Sequence, residues 1–298
     1  MKRTLALATF AIAASLAVSA QAQTITSIQF VNPNGNANNL PITPAQVAGV
    51  DAVANWNIGP TSNFYVYTGS NGETDTNSGS LITSSGGTSA IGYNVLSAGG
   101  AYYPGNSVTS PAGNAAMLQG GVTAVGTNTG GYYPGSANLT ISGLAIGDNY
   151  TFIVYVGGPQ YLLGEASISD AFLGNTLYFA SPNGGFAATP VTTLVNNAST
   201  NDFSVTDANN PGAVSTNYAT NYVEFSGITG VTSDTVSLTE IGSWPNGAFL
   251  SGTAGSMAMT ISAIQVVDNV PEPSTYAMMV GGLGMLLAGQ RIRRNLKS

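Results

Sequence analysis

The sequence predicts an all-β fold, a single β-sandwich passenger between two membrane-directed ends. Three observations carry that expectation. Short apolar or alternating runs recur between clusters of Gly, Asn, Ser and Pro, the punctuation of strands and tight turns. The 38 glycines and 14 prolines are offset by 14 tyrosines, 10 phenylalanines and few charges, a composition that supports a packed core rather than disorder. Helical periodicity is nearly absent: only 44–53 and 114–119 look able to form a turn or two of helix. By pattern alone, many short strands fit a sandwich or a barrel.

The elements follow in order. Residues 1–22 read as a secretory signal peptide: Lys2 and Arg3, an apolar run over 5–18, then Ala20-Gln21-Ala22. Cleavage falls after Ala22, with Ala20 as second candidate, and a retained anchor is the competing reading. Strands are expected at 26–31, 63–68, 138–141, 150–156, 176–180, 191–194, 221–225, 234–238 and 257–267. The run Tyr150-Thr151-Phe152-Ile153-Val154-Tyr155-Val156 is nearly continuous, as a strand covered on both faces is. Alternation is clearest in Met257-Ala258-Met259-Thr260-Ile261-Ser262. No linker divides 23–268, so the passenger is expected to be one domain.

The tail, 269–298, has three parts. Val270-Pro271-Glu272-Pro273-Ser274 comes first, held extended by two prolines that cannot continue a helix. An uncharged apolar stretch follows, with 278–288 as the expected short membrane helix, and then Arg291, Arg293, Arg294 and Lys297. An apolar run partitions into a bilayer, and a basic cluster holds its end on the cytoplasmic side. The run is short for a full span, and a buried core helix is the plainer alternative. Three arginines within four residues of the run's end argue against it.

This tripartite tail resembles the PEP-CTERM sorting signal of exported bacterial proteins. The resemblance implies an exosortase as processing partner, an inner-membrane-anchored precursor, and a final place in the cell envelope, on the surface or in the extracellular matrix. Within the passenger, Ala48-Gly49-Val50-Asp51, Met117-Leu118-Gln119-Gly120, Leu139-Thr140-Ile141-Ser142-Gly143-Leu144, Tyr222-Val223-Glu224-Phe225 and Ile264-Gln265-Val266-Val267 fall in a further familiar order. They resemble a sandwich recurrent among PEP-CTERM proteins, which implies a jelly-roll, lectin-like topology and no catalytic residues.

Charge excludes several function classes. All six bases lie in the two ends, whereas all thirteen acids lie within 4–290, which therefore carries a formal charge of −13 and no Lys, Arg or His. Such a surface cannot neutralise phosphates, so nucleic acid is excluded as a partner. The absence of His and Cys removes Ser-His-Asp and Cys-His nucleophiles and the usual zinc sets. Without cysteine, the fold rests on packing and hydrogen bonds.

Few residues remain that could carry chemistry. Tyr102-Tyr103-Pro104-Gly105 and Tyr132-Tyr133-Pro134-Gly135 repeat one element. Exposed tyrosine pairs beside a Pro-Gly turn could stack on sugar rings of an extracellular polysaccharide, although a strand end with a type II turn is the plainer reading. Trp56 and Trp244 face the same choice between loop platform and core filler. Asn71-x-Glu73-x-Asp75-x-Asn77 places oxygen ligands at alternate positions of a Gly/Ser-rich loop, a weak calcium candidate that lacks the EF-hand glycine and closing glutamate. No cofactor is otherwise expected. Glu73, Glu165, Glu224 and Glu240 could supply a hydrolase's two carboxylates, but nothing marks a pair. The expectation is a non-enzymatic structural or adhesive protein, with a tyrosine-based carbohydrate-binding module as the alternative.

Overall fold

The computed structural model describes residues 23–30, 42–59, 73–77, 80–97, 101–102, 113–118, 121–128, 131–157, 164–180, 194–200, 220–243 and 259–269. The signal peptide, the strand expected at 63–68, most of 191–194, Tyr103, Trp244 and everything from Val270 onward lie outside them, including the sorting motif, the membrane helix and the tail arginines. No helix among the described residues is long and apolar enough to cross a membrane.

In chain order the strands are β1 (Thr24–Phe30), β2 (Asn57–Gly59), β3 (Glu73–Asn77), β4 (Gly92–Ser97), β5 (Ala101–Tyr102), β6 (Gly121–Thr123), β7 (Val125–Asn128) and β8 (Gly131–Pro134). There follow β9 (Ser136–Ser142), β10 (Asn149–Gly157), β11 (Gly164–Asp170), β12 (Thr176–Ala180), β13 (Tyr222–Thr229), β14 (Ser233–Ser243) and β15 (Thr260–Asp268). Among the described residues one short helix, α1, covers Asn114–Met117. The described residues are mostly strand, in two sheets and a separate ribbon. One sheet runs β13-β10-β15-β1-β2, with β6 joining β15 and β5 joining β6; the other runs β12-β11-β14-β9-β4-β3; β7 and β8 pair alone. Pairing is antiparallel except between β1 and β2. From β9 onward the chain passes repeatedly from one sheet to the other. Residues Thr24–Asp268 form one compact unit.

The core between the sheets follows from period-two alternation. Phe152, Val154 and Val156 of β10 and Ile264 and Val266 of β15 pack against Leu139 and Ile141 of β9 and Val236 and Leu238 of β14. Fully burying one such side chain is worth about 1.5–3 kcal/mol. The alternate residues of the first sheet, among them Ile153, Tyr155, Ala263 and Val267, enter a second cluster with Ile42, Ala48, Trp56 and α1. The 42–56 segment and α1 thus cover the outer face of that sheet, which explains the continuous apolar run of β10. A bulge reconciles the phases of β15: Tyr155 pairs with Ala263 and Val156 with Ile261, so Ser262 is skipped and the inward set passes from Met259 and Ile261 to Ile264 and Val266.

Two local expectations are corrected. Segment 44–53 is not helical: it forms turns closed by a bridge in which the Ala48 and Val53 backbones exchange hydrogen bonds of 3.1 and 3.2 Å. Its backbone groups are met by the sheet beneath, so no helical ladder is required. The oxygen-rich 71–77 loop is not a loop over 73–77, where Glu73 and Asp75 belong to the edge strand β3, paired residue by residue with β4. Alternating polar residues satisfy the strand period as readily as a cation loop.

Candidate functional site

The surface best suited to meet a partner is the outer face of the six-stranded sheet. The alternation that sends Ala137, Leu139 and Ile141 inward sends Asn138 and Thr140 outward, and β14 does the same with Thr235 and Ser237. Register aligns these residues in rows across the strands. Thr176, Ser169, Ser237 and Asn138 form one row; Thr235, Thr140 and Asn94 form the next. Thr140 and Thr235 share a hydroxyl hydrogen bond of 2.9 Å, the cross-strand pairing that fixes such rows. None of these side chains is charged, and each is half-buried or exposed. Leu96, in the same face, is 42% exposed. Chemically this is a neutral array of hydroxyls and amides that both donate and accept hydrogen bonds.

The covered face of the other sheet is built differently, from buried amides that hold a loop. Gln29 accepts from the Ile42 amide (2.8 Å) and donates to the Ala116 carbonyl of α1 (2.7 Å). Gln265 donates to the Asp51 carbonyl (2.8 Å) and accepts from the Tyr155 hydroxyl, which itself accepts from the Val50 amide (2.6 Å). Burial pushes the Tyr155 hydroxyl well above the ordinary tyrosine range, so it stays protonated and keeps donating. Burial first, and then the charge of Glu224, raises Asp51. Trp56 lies in this cluster, 3% exposed, with its indole N–H on the Val53 carbonyl (3.0 Å) and its ring edge-on to Tyr155. It fills a core and is not a platform.

The structure separates the two tyrosine repeats. Tyr102 is in β5, whose partner is β6 of the seven-stranded sheet, whereas Tyr132 and Tyr133 are in β8 of the ribbon. The second repeat continues the strand through Pro134 instead of turning before it. Of the acids weighed for hydrolysis, Glu224 is exposed on β13 and accepts from the Ser226 hydroxyl (2.7 Å). Among the described residues no group of three or more His, Cys, Asp or Glu is placed to hold a metal ion.

One arrangement escaped the sequence reading. Asp170 and Asp234 are 1% and 6% exposed, and the Oδ2 atom of each is buried without a hydrogen-bond partner. Their signal was present: Ala166-x-Ile168-x-Asp170 and Asp234-x-Val236-x-Leu238 put an acid in phase with inward apolar residues.

Comparison with known proteins bears on the tail. Residues 269–294 match the PEP-CTERM protein-sorting motif. No curated protein matches the chain, and no solved structure matches it. The motif marks an exported protein that is sorted by an exosortase and reaches the cell surface.

Proposed function

We propose that this protein is a non-enzymatic structural or adhesive component of the cell surface or extracellular matrix, delivered there by exosortase processing. The observation that carries the reading is the sorting motif at 269–294, which begins directly after the last residue of β15. In this reading Pro271, Glu272 and Pro273 are recognised, 278–288 holds the precursor in the inner membrane, and Arg291, Arg293 and Arg294 stop its transfer. The passenger is a jelly-roll, lectin-like sandwich; strands that pass back and forth between two packed sheets support that topology. Its neutral hydroxyl and amide face suits a hydroxyl-rich, uncharged polysaccharide, since an acidic chain lacking cations from 4 to 290 repels anionic polymers.

The test is the intact mass of the protein recovered from its host's envelope and culture medium. A mass ending near Pro271–Pro273 is expected, and a mass that retains 291–298 overturns the processing reading. Binding is tested by retention on neutral polysaccharide. Replacing Asn138 and Ser237 by Glu should abolish retention if the sheet face carries it. Replacing Tyr102, Tyr103, Tyr132 and Tyr133 by Ala should do so if the tyrosines carry it.

A further inference from the structure

The β11–β12 turn is fastened to the sheet by two carboxyl groups. Asp170 ends β11, and the turn runs back into β12 through Gly174, which takes a left-handed conformation at φ 65°. Oδ1 of Asp170 accepts from the Leu173 amide (2.8 Å) within the turn. Oδ1 of Asp234, on β14, accepts from the turn's Phe172 amide (3.1 Å) and from the Thr235 amide (2.7 Å). The Ala171 amide adds a bond of 2.9 Å to the Thr235 carbonyl. One oxygen of each acid is thus accounted for by backbone donors.

The other oxygens pose a problem of charge. Both Oδ2 atoms are buried with no donor, yet the two carboxyl groups lie within hydrogen-bonding reach of one another. Two carboxylates so placed are acceptors only and repel; with one proton between them they make a strong O–H···O⁻ bond. No base exists from 4 to 290 to neutralise them instead. The described residues of β9 and β12 and of the turn contain no acid or base, Tyr178 apart, which pairs with outward-facing Ser167. Asp148, on the β9–β10 connection, accepts from the Tyr150 hydroxyl of β10 at 3.4 Å, and Asp268 of β15 acts on Tyr150. On β11 and β14 the remaining acids, Glu165 and Glu240, belong to the opposite strand ends from Asp170 and Asp234.

We propose that Asp170 and Asp234 hold a single proton between their Oδ2 atoms, and that this shared proton latches the β11–β12 turn to β14 and releases it when the medium becomes alkaline. Loss of the proton leaves two negative charges in a buried site, and the cheapest relief is to swing the turn outward and hydrate Asp170. Burial, and secondarily the charge of Asp234, raises Asp170 to about 6, so the latch loosens across the range an exported protein meets. The device is separate from sorting and polysaccharide binding and stands or falls without them.

The test uses the full chain, with amide exchange and carboxyl-carbon NMR followed between about pH 5 and pH 8. The wild-type amides of Phe172 and Leu173 should lose at least about tenfold in protection over that range, while those of β10 keep theirs. In Asp170→Asn the amide NH₂ replaces the shared proton permanently, so protection should become independent of pH. Equal pH dependence in variant and wild type overturns the proposal. If the variant does not fold, the wild-type NMR titration decides. One acid titrating well above the ordinary aspartate range and coupled to the other supports the latch, and two independent ordinary titrations refute it. Millimolar calcium that closes the turn at alkaline pH in the wild type but not in Asp170→Asn also overturns it, because the pair then holds a cation.

Discussion

Gln265 shows how much one side chain can decide in a chain without ion pairs to spare. It is fully buried on the covered face, and its amide bridges Tyr155 of the neighbouring strand to the Asp51 carbonyl of the overlying loop. Gly49 sits against it at φ 98°, a conformation that L side chains rarely adopt, and any Cβ there would collide with the Gln265 amide. Replacing Gln265 by Leu keeps the volume but orphans the Asp51 carbonyl and the Tyr155 hydroxyl proton. The expected loss is about 2–3 kcal/mol, read from urea denaturation. Backbone approach is as demanding at Gly143, where φ is 78° and a Cβ would strike the Ala90 carbonyl. Gly143→Ala should cost more than about 2 kcal/mol, whereas Gly147→Ala, whose Cβ would meet nothing, should stay within about 0.5 kcal/mol. Gly174→Ala separates the two causes, because φ there is 65° and a Cβ would meet nothing; a cost equal to that of Gly143→Ala would show that backbone conformation, not the close approach, sets it.

At the scale of elements, the two faces of β10 make the same point. Phe152 faces the other sheet and is fully buried, so Phe152→Ala should lower global stability by about 3–5 kcal/mol. Trp56 belongs to the cover on the opposite face, so Trp56→Ala should release the Ala48–Val53 bridge first. Exchange at those two amides should rise while β10 keeps its protection; uniform loss in both would mean that cover and sandwich unfold as one unit. The strands legible in the sequence are those with enough apolar residues to show a period: β10, β15 and β9 lie where Tyr150–Val156, 257–267 and 138–141 suggested. β11 was invisible because its inward residues are only Ala166, Ile168 and an aspartate. The cover was half legible. Ala115 and Ala116 favour the helix that forms, but 44–53 is held in its turns by Asn114, Tyr155 and Gln265, partners distant in sequence that no local pattern reveals. Asp170 and Asp234 were hidden for the same reason, since each strand looks ordinary until register brings them together.

Charge acts on the molecule as a whole. From 4 to 290 there are thirteen acids and no base, so side-chain electrostatics within that interval is purely repulsive. In most proteins added salt weakens attractive pairs as well as repulsive ones, and the two effects partly cancel. Here there is nothing attractive to weaken. Raising NaCl from about 0.01 M to about 0.15 M shortens the Debye length from about 30 Å to about 8 Å, and Tm should therefore rise. Acid should act in the same direction over a limited range. Asp51 and Asp170 are both raised above the ordinary aspartate value, so the folded protein binds protons more readily than the unfolded chain. That contribution is fully present below the ordinary aspartate pKa and is lost as pH rises through the folded values, about 6 for Asp170. Thermal unfolding followed from about pH 4.5 to pH 8 at low salt should show the highest Tm at the acid end, and the gap should narrow at about 0.15 M NaCl as screening removes its long-range part. The residue at 170 separates the two causes. In Asp170→Asn the salt dependence should persist, because twelve acids remain, while the fall in Tm with rising pH should shrink. A Tm that drops on adding salt would require attractive charge pairs that this interval cannot form, and would refute repulsion as the governing term.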